Sequence, residues 1–299
     1  MAISTGSKVQ VAYIPEVTAG TTPATPQTSV IPYVKFSAEL DRNTISDPSR
    51  TADNQKRFMS AGSYKTSGSL EVALSHSQYD AFLEASLMGT WTTNVLKVGN
   101  TQKYFTFEEF DASVPLSRVF TGVEVDSLKL SIKPDAVVSA VFALMGRATS
   151  NGTVSIDTTP TAVLAGKNPM TGALGSLTID GVAGLVTSLD LSVTNSIKMI
   201  NTIGSTAVTA STNGAKSITG SLTVLLADST LYNKFIANTT AALVFVISAG
   251  TTTYTFSVPK CGITKANASA DSPDERVLSL DFEALFDNTL GAIMSITRT

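Results

Sequence analysis

The run Gly68-Ser69-Leu70-Glu71-Val72-Ala73-Leu74 returns as Gly220-Ser221-Leu222-Thr223-Val224-Leu225-Leu226, 152 positions further on. Tyr79 and Phe82 return as Tyr232 and Phe235, 153 positions on. A chain that matches itself at such a spacing is built from copies of one structural unit, which excludes most other folds. Other blocks keep the order. Phe105-Thr106-Phe107 answers to Tyr254-Thr255-Phe256, and Gly122 and Phe142 answer to Gly262 and Phe282. Val34–Leu40 answers loosely to Leu185–Leu191.

Within each copy the apolar residues alternate. Phe36, Ala38 and Leu40 are separated by Ser37 and Glu39, and Leu70, Val72 and Leu74 follow the same period of two. So do Leu128, Leu130 and Ile132, and then Val138, Ala140, Phe142 and Leu144. The second copy shows it at Leu189, Leu191 and Val193, at Leu222, Val224 and Leu226, and at Leu278, Leu280 and Phe282. That period marks strands with one face in a core. One helix interrupts each copy. Ser77 and Asp80 have capping-box spacing, Phe82, Leu83, Ser86 and Leu87 form a stripe, and Gly89 suits the end. Its counterpart begins near Asp228 or Ser229. The expected fold is mainly β, with two tandem units that each carry one flanking helix.

The expected boundaries are an extended arm over 1–32, a first unit over 33–147, a bridge over 148–181 and a second unit over 182–299. Pro23, Pro26 and Pro32 among threonines read as extended chain. Residues 41–63 read as a long polar loop inserted in the first unit.

The remaining positions of the strands carry small, polar residues of mixed sign. Lys35, Ser37, Glu39, Ser69, Glu71 and Lys129 represent the first unit; Asp190, Ser192, Ser221 and Thr223 represent the second. Charged residues are only 15% of the chain, below the usual quarter, and the net charge is −3. Binding DNA requires neutralising phosphates, so this balance argues against tight nucleic-acid binding. A hydroxyl-rich face would let a polyanion pass without holding it; an ordinary solvated sheet face is the competing reading.

No catalytic centre is expected. The single His76 and the single Cys261 cannot supply a zinc site, and no nucleophile marks a triad. Cys261 reads as a buried thiol, and a lone cysteine fits a reducing cytoplasm. Glu108, Glu109 and Asp111, and likewise Asp271, Asp274 and Glu275, read as solvated turns rather than cation sites. No cofactor or metal is expected. The first residues lack an apolar signal core, so no export signal is expected. No apolar run is long enough for a membrane helix.

The arm Gly20-Thr21-Thr22-Pro23-Ala24-Thr25-Pro26, the loop with Arg50 and Arg57, Ser67-Gly68-Ser69-Leu70 and the Tyr79/Phe82 helix resemble the phage tail tube (major tail) protein family of long-tailed, non-contractile phages. Gly89-Thr90-Trp91 followed by Phe105-Thr106-Phe107 adds to the likeness, which covers nearly the whole chain. The resemblance implies β-sandwich or barrel units whose sheets join those of neighbours around a lumen, with the ten polar residues named above facing it. It implies that 41–63 reaches the next ring, with Arg50, Lys56, Arg57 and Phe58 as contacts. The resemblance also implies six folds per ring, so two units per chain would give rings of three chains with pseudo-sixfold symmetry. The implied partners are further copies, the tail terminator, the tape-measure and distal tail proteins, and DNA in transit. The implied place is the virion tail, assembled in the host cytoplasm, and the implied role is genome ejection. A tandem β-sandwich decoration or host-attachment protein is the alternative.

Overall fold

The computed structural model describes residues 3–49, 53, 55–226, 229–268 and 275–299. Its first half begins with β1 (Val9–Glu16) and the short β2 (Ser29–Val30), then β3 (Lys35–Ser46) and β4 (Met59–Ala73). Helix α1 (Asp80–Leu87) leads to β5 (Val95–Lys97), β6 (Tyr104–Asp111), β7 (Leu116–Ile132), β8 (Ser139–Gly146) and β9 (Ala148–Gly152). The second half has β10 (Thr171–Ile179), β11 (Val182–Ala183), β12 (Val186–Thr194), β13 (Lys198–Ile200), β14 (Ala210–Thr212) and β15 (Ser217–Leu225). Helix α2 (Thr230–Ile236) precedes β16 (Ala241–Ala249), β17 (Thr252–Ala268), β18 (Val277–Ala284) and β19 (Ser295–Arg298).

The alternating segments pair in one antiparallel series, β3-β4-β8-β7-β12-β15-β18-β17. In both halves the strand before the helix sits beside the first strand, and the long strand lies outermost. β7 and β17 are each 17 residues long and each carries a register shift, at Val125/Ser127 and at Ile263/Lys265. A bulge bends and twists a strand, which allows one long strand to change partners along its length. The first part of β7 accordingly pairs with β6 and β9, and the first part of β17 with β16 and β19.

The repeated glycines have a steric cause. A Cβ on Gly68 would stand 2.1 Å from the Ser37 carbonyl oxygen, and one on Gly220 would stand 2.6 Å from that of Asp190. Each glycine lets the first strand of its half approach closely. Gly68 pairs with Ala38 and Leu144, and Gly220 with Leu191 and Phe282. Leu144 therefore stands where Phe282 does, two residues away from the Phe142 that the sequence aligned with it. Ala38 likewise stands with Leu191, a two-residue shift from the loose upstream match. Phe105–Phe107 lies in β6, whereas Tyr254–Phe256 lies in β17, the following strand of its hairpin.

Several segments are more ordered than the sequence suggests. Within 1–32, β1 buries Val11 and pairs along its whole length with β6. The Pro-rich stretch lies on the molecule, with the Thr28 amide donating to Asp157 at 2.7 Å. The bridge 148–181 contributes β9 and β10, which pair with β7 and β16. Residues 41–63 are not a structureless loop: Asp41 pairs with Lys65 and Ser46 with Met59, so the segment extends a β-hairpin.

The two halves share one hydrophobic core. Helix α1 is wholly engaged in it. Phe82 is fully buried, with its ring 4.7 Å from Tyr13 and 5.6 Å from Phe142. Ser77 does not cap α1; Tyr79 holds that place without a side-chain cap, and Met88, not Gly89, takes the left-handed conformation at its end. Asp80 instead crosses to the second half. It accepts from the Tyr254 hydroxyl and pairs with Arg298, while the Ser77 amide donates to the Tyr254 oxygen at 2.8 Å. Trp91 anchors the helix end, its amide donating to Glu84 at 2.8 Å and its ring lying under the Arg298 guanidinium. α2 buries none of its residues.

Truncation should separate the two helices. Phe82→Ala is expected to destabilise the isolated chain by about 3–5 kcal/mol, the range for a buried aromatic. Phe235→Ala in α2 is expected to cost under about 1 kcal/mol, because no residue of α2 is buried. Denaturant unfolding of the two variants checks the contrast.

Candidate assembly interface

The side chains pointing away from the core form one polar face across both halves. Lys35 lies opposite Glu71, then Val141, Lys129, Ser192, Thr219 and Glu283 in successive strands. A second row runs Ser139, Ser131, Asp190, Ser221, Asp281 and Lys265. All ten polar residues singled out in the sequence lie on this face, and none is buried. The face is hollowed: a depression of about 650 Å³ is lined by Lys129, Ser131, Asp190, Ser192, Ser221 and Glu283 among others. Carboxylates at Glu39, Glu71, Asp190, Asp281 and Glu283 outnumber the ammonium groups of Lys35, Lys129 and Lys265.

The series has two ends. Among the described residues, no strand pairs with the far side of β3 or with the far side of the second part of β17. Peptide groups in an antiparallel pair alternate in direction. The Ser37 carbonyl points at β4, as its closeness to Gly68 requires, so the Ala38 carbonyl points outward. One donor reaches it there: Arg118 Nη2, at 2.5 Å. Arg118 is held by Glu109 at 3.1 Å and lies over the Phe120 ring. A charged group on an open edge is a known way to restrain unwanted strand pairing.

The hairpin tip beyond β3 and β4 carries the other expected contacts. Arg57 pairs with Asp53 at 2.5 Å, and Lys56 and Arg57 line a small hollow with Thr44, Ser46, Phe58 and Met59. Phe58 and Met59 are exposed at 55% and 75%, and Ile45 at 57%. Arg50 falls outside the described residues. Sequence reasoning missed Ile45 and Met59, which become noticeable only once the segment is known to be paired.

His76, Cys261 and the Glu108–Asp111 carboxylates each have partners of their own. His76 stacks on Tyr254 and accepts or donates at Ser77 Oγ, 2.9 Å away. Partial burial, then Lys167, holds its pKa below the usual value. Cys261 is buried, its thiol facing the Ala241 carbonyl at 3.1 Å, and burial pushes it up to about 11. Glu108 accepts from Ser117 Oγ at 2.6 Å and from the Ile156 amide at 2.9 Å, while Glu109 pairs with Arg118 and Asp111 binds Ser113. Glu108 and Asp111 are buried in β6 and not in the solvated turn expected, and the three carboxylates have separate partners. Asp271 and Asp274 fall outside the described residues, as does Asp228.

Amide hydrogen exchange reads the open edge directly. The amides of Ser37, Glu39 and Asp41 should be protected and those of Ala38 and Leu40 should exchange rapidly in the isolated chain. In β12, which has neighbours on both sides, protection should be continuous from Leu189 to Val193.

Among known proteins, no curated relative matches the chain. A family model described as phage tail tube protein matches residues 6–284. With that match covering nearly its whole length, the chain belongs to the phage tail tube protein family.

Proposed function

We propose that this chain polymerises into stacked rings forming a tail tube, the conduit through which the phage genome is delivered. The observation that carries the reading is the hollowed polar face of an eight-strand series with both ends open. Open edges template pairing with another chain, and a head-to-tail contact that closes on itself makes a ring. With six units per ring, as the resemblance to the family implies, three chains close the ring, threefold with pseudo-sixfold symmetry. The shared strand order of the halves, with Gly68 and Gly220 in the same steric role, supports their origin by duplication.

The polar face becomes the lumen wall. Its residues from Lys35 to Thr223 offer hydroxyls and a small excess of carboxylates. Affinity for DNA rises with the number of phosphates neutralised, so such a wall releases few counterions and leaves the polymer free to slide. The role is structural rather than catalytic. The β3–β4 hairpin reaches the next ring, with Arg50, Lys56, Arg57 and Phe58 as contacts; exposed Ile45 and Met59 give the tip apolar area to bury. At its ends the tube would meet the terminator and distal tail proteins, with the tape-measure protein inside.

Negative-stain microscopy of purified protein tests this. Rings or tubes roughly 100 Å across are expected, the scale of several packed domains of this size. Isolated chains at every concentration would refute it. Replacing 47–58 by a two-residue turn should leave the thermal unfolding of the subunit unchanged while rings no longer stack into tubes. Normal tubes from that variant would remove the hairpin from the stacking role.

A further inference from the structure

The junction between the halves shows how one half receives another. β7 and β12 pair with Leu130 opposite Leu191, Leu128 opposite Val193 and Ser127 opposite Thr194. The open edges hold the same positions in their own halves. Ala38 faces Gly68 as Leu191 faces Gly220. Ala266 faces Leu280 as Leu128 faces Phe142, and these two partners in turn face Leu222 and Leu70. β3 is therefore the positional counterpart of β12, and the second part of β17 that of β7.

We propose that the β17 edge of one copy pairs antiparallel with the β3 edge of a second copy in the register of the β7–β12 junction, placing Lys265 opposite Asp41. The proposal rests on the ring assembly above and specifies its contact. By the same transfer, Ala266 lies opposite Leu40 and Ala268 opposite Ala38.

Three observations converge on this occupant and this register. Leu40 is 40% exposed on the open edge, whereas its counterpart Val193 is buried at the junction. Tyr232 and Ile236 of α2 are exposed at 38% and 67%, whereas Tyr79 at the cap of α1 and Leu83 within it are buried. α1 touches β12 across the junction, and Asn195 donates to the Ser86 carbonyl there at 3.0 Å. The neighbour's β3 would take the equivalent place beside α2.

Charge gives the third. Within a chain Asp41 lies opposite Lys65, 3.8 Å away, and Lys265 lies opposite Asp281. The proposed pairing completes a row of alternating sign, Lys65, Asp41, Lys265, Asp281, across the interface. At the junction inside the chain the same row holds only Thr194 and Ser127. Opposite charges placed directly across antiparallel strands attract, and like charges repel. The charges thus select β17 against β3 rather than either edge against its own copy. Arg118 has to share the Ala38 carbonyl, which has a second lone pair for the incoming amide.

Asp41→Cys combined with Lys265→Cys tests the register. Directly opposed residues of this kind lie about 4.5 Å apart at Cα, within disulfide range. Asp41→Cys with Asn267→Cys is the control, one diagonal step away at about 7–8 Å. Mild oxidation of assembled protein should link chains through the first pair, giving species up to three chains on a denaturing gel, and leave the control unlinked. Microscopy of the same samples separates the outcomes. Rings whose chains link through the control pair, or through neither pair, overturn the register and leave ring assembly standing. Absence of rings in the unsubstituted chain overturns both. Charge removal gives an independent reading: Asp41→Asn or Lys265→Gln should each raise the concentration needed for assembly by up to about 5-fold, from about 1 kcal/mol per opposed pair, and the two together should cost no more than either alone. Single variants that assemble as readily as the original, or a double variant whose cost is the sum of the two, count against the pairing.

Discussion

The strand pairing of β7 with β12 is the contact on which the rest of the architecture depends. It fuses the sheet of one half to the sheet of the other through six consecutive residue pairs, Ile132–Leu189 to Ser127–Thr194. Because the period of a strand is two, that register puts Leu128, Leu130, Leu189, Leu191 and Val193 in the core and Lys129, Ser131, Asp190 and Ser192 on the other face. A slip by one residue would bury Lys129 and Asp190. The hydrophobic pattern thus fixes both the continuity of the polar face and the separation of the two open ends.

Other contacts hold this junction in place. Asp80 of α1 binds Tyr254 and Arg298, and β5 from the first half pairs with β19 from the second. The β12–β15 connection turns back, where Ser211 meets Glu124 and Arg147 in a largely buried group. Burial raises the pKa of Glu124, with the Ser211 bond opposing it. A buried carboxylate of this kind is tolerable only because donors satisfy it. The halves therefore behave as one body with a shared core, while β3, the end of β17 and α2 keep surface that their counterparts have buried.

Much of this was readable in the sequence. Period-two alternation located seven strands of the eight-strand series, all but the end of β17, and the Gly68/Gly220 match located the paired centres of both halves. The polar face followed from the same alternation, since residues between core positions have to share the other side of the sheet. What failed to show were strands without a buried face. Asp41 to Ser46 is exposed on both sides and polar but for Ile45, so no alternation distinguishes it from a loop. β10 is rich in Thr and Gly and is half-exposed along its length. Register also escaped: Phe142 and Phe282 share an identity, but packing pairs Leu144's place with Phe282, because a core position can hold a different apolar side chain when its neighbours repack to keep the volume. The Ser77-to-Asp80 spacing suggested a cap, while tertiary contacts with Tyr254 and Arg298 claimed the carboxylate.

In the proposed assembly each chain supplies two of the units around the lumen. Native mass spectrometry of single rings, released from tubes or trapped by shortening the hairpin, tests that most directly. The mass should equal three chains. A ring of six chains would contradict it, since one half of each chain would then have no place on the wall.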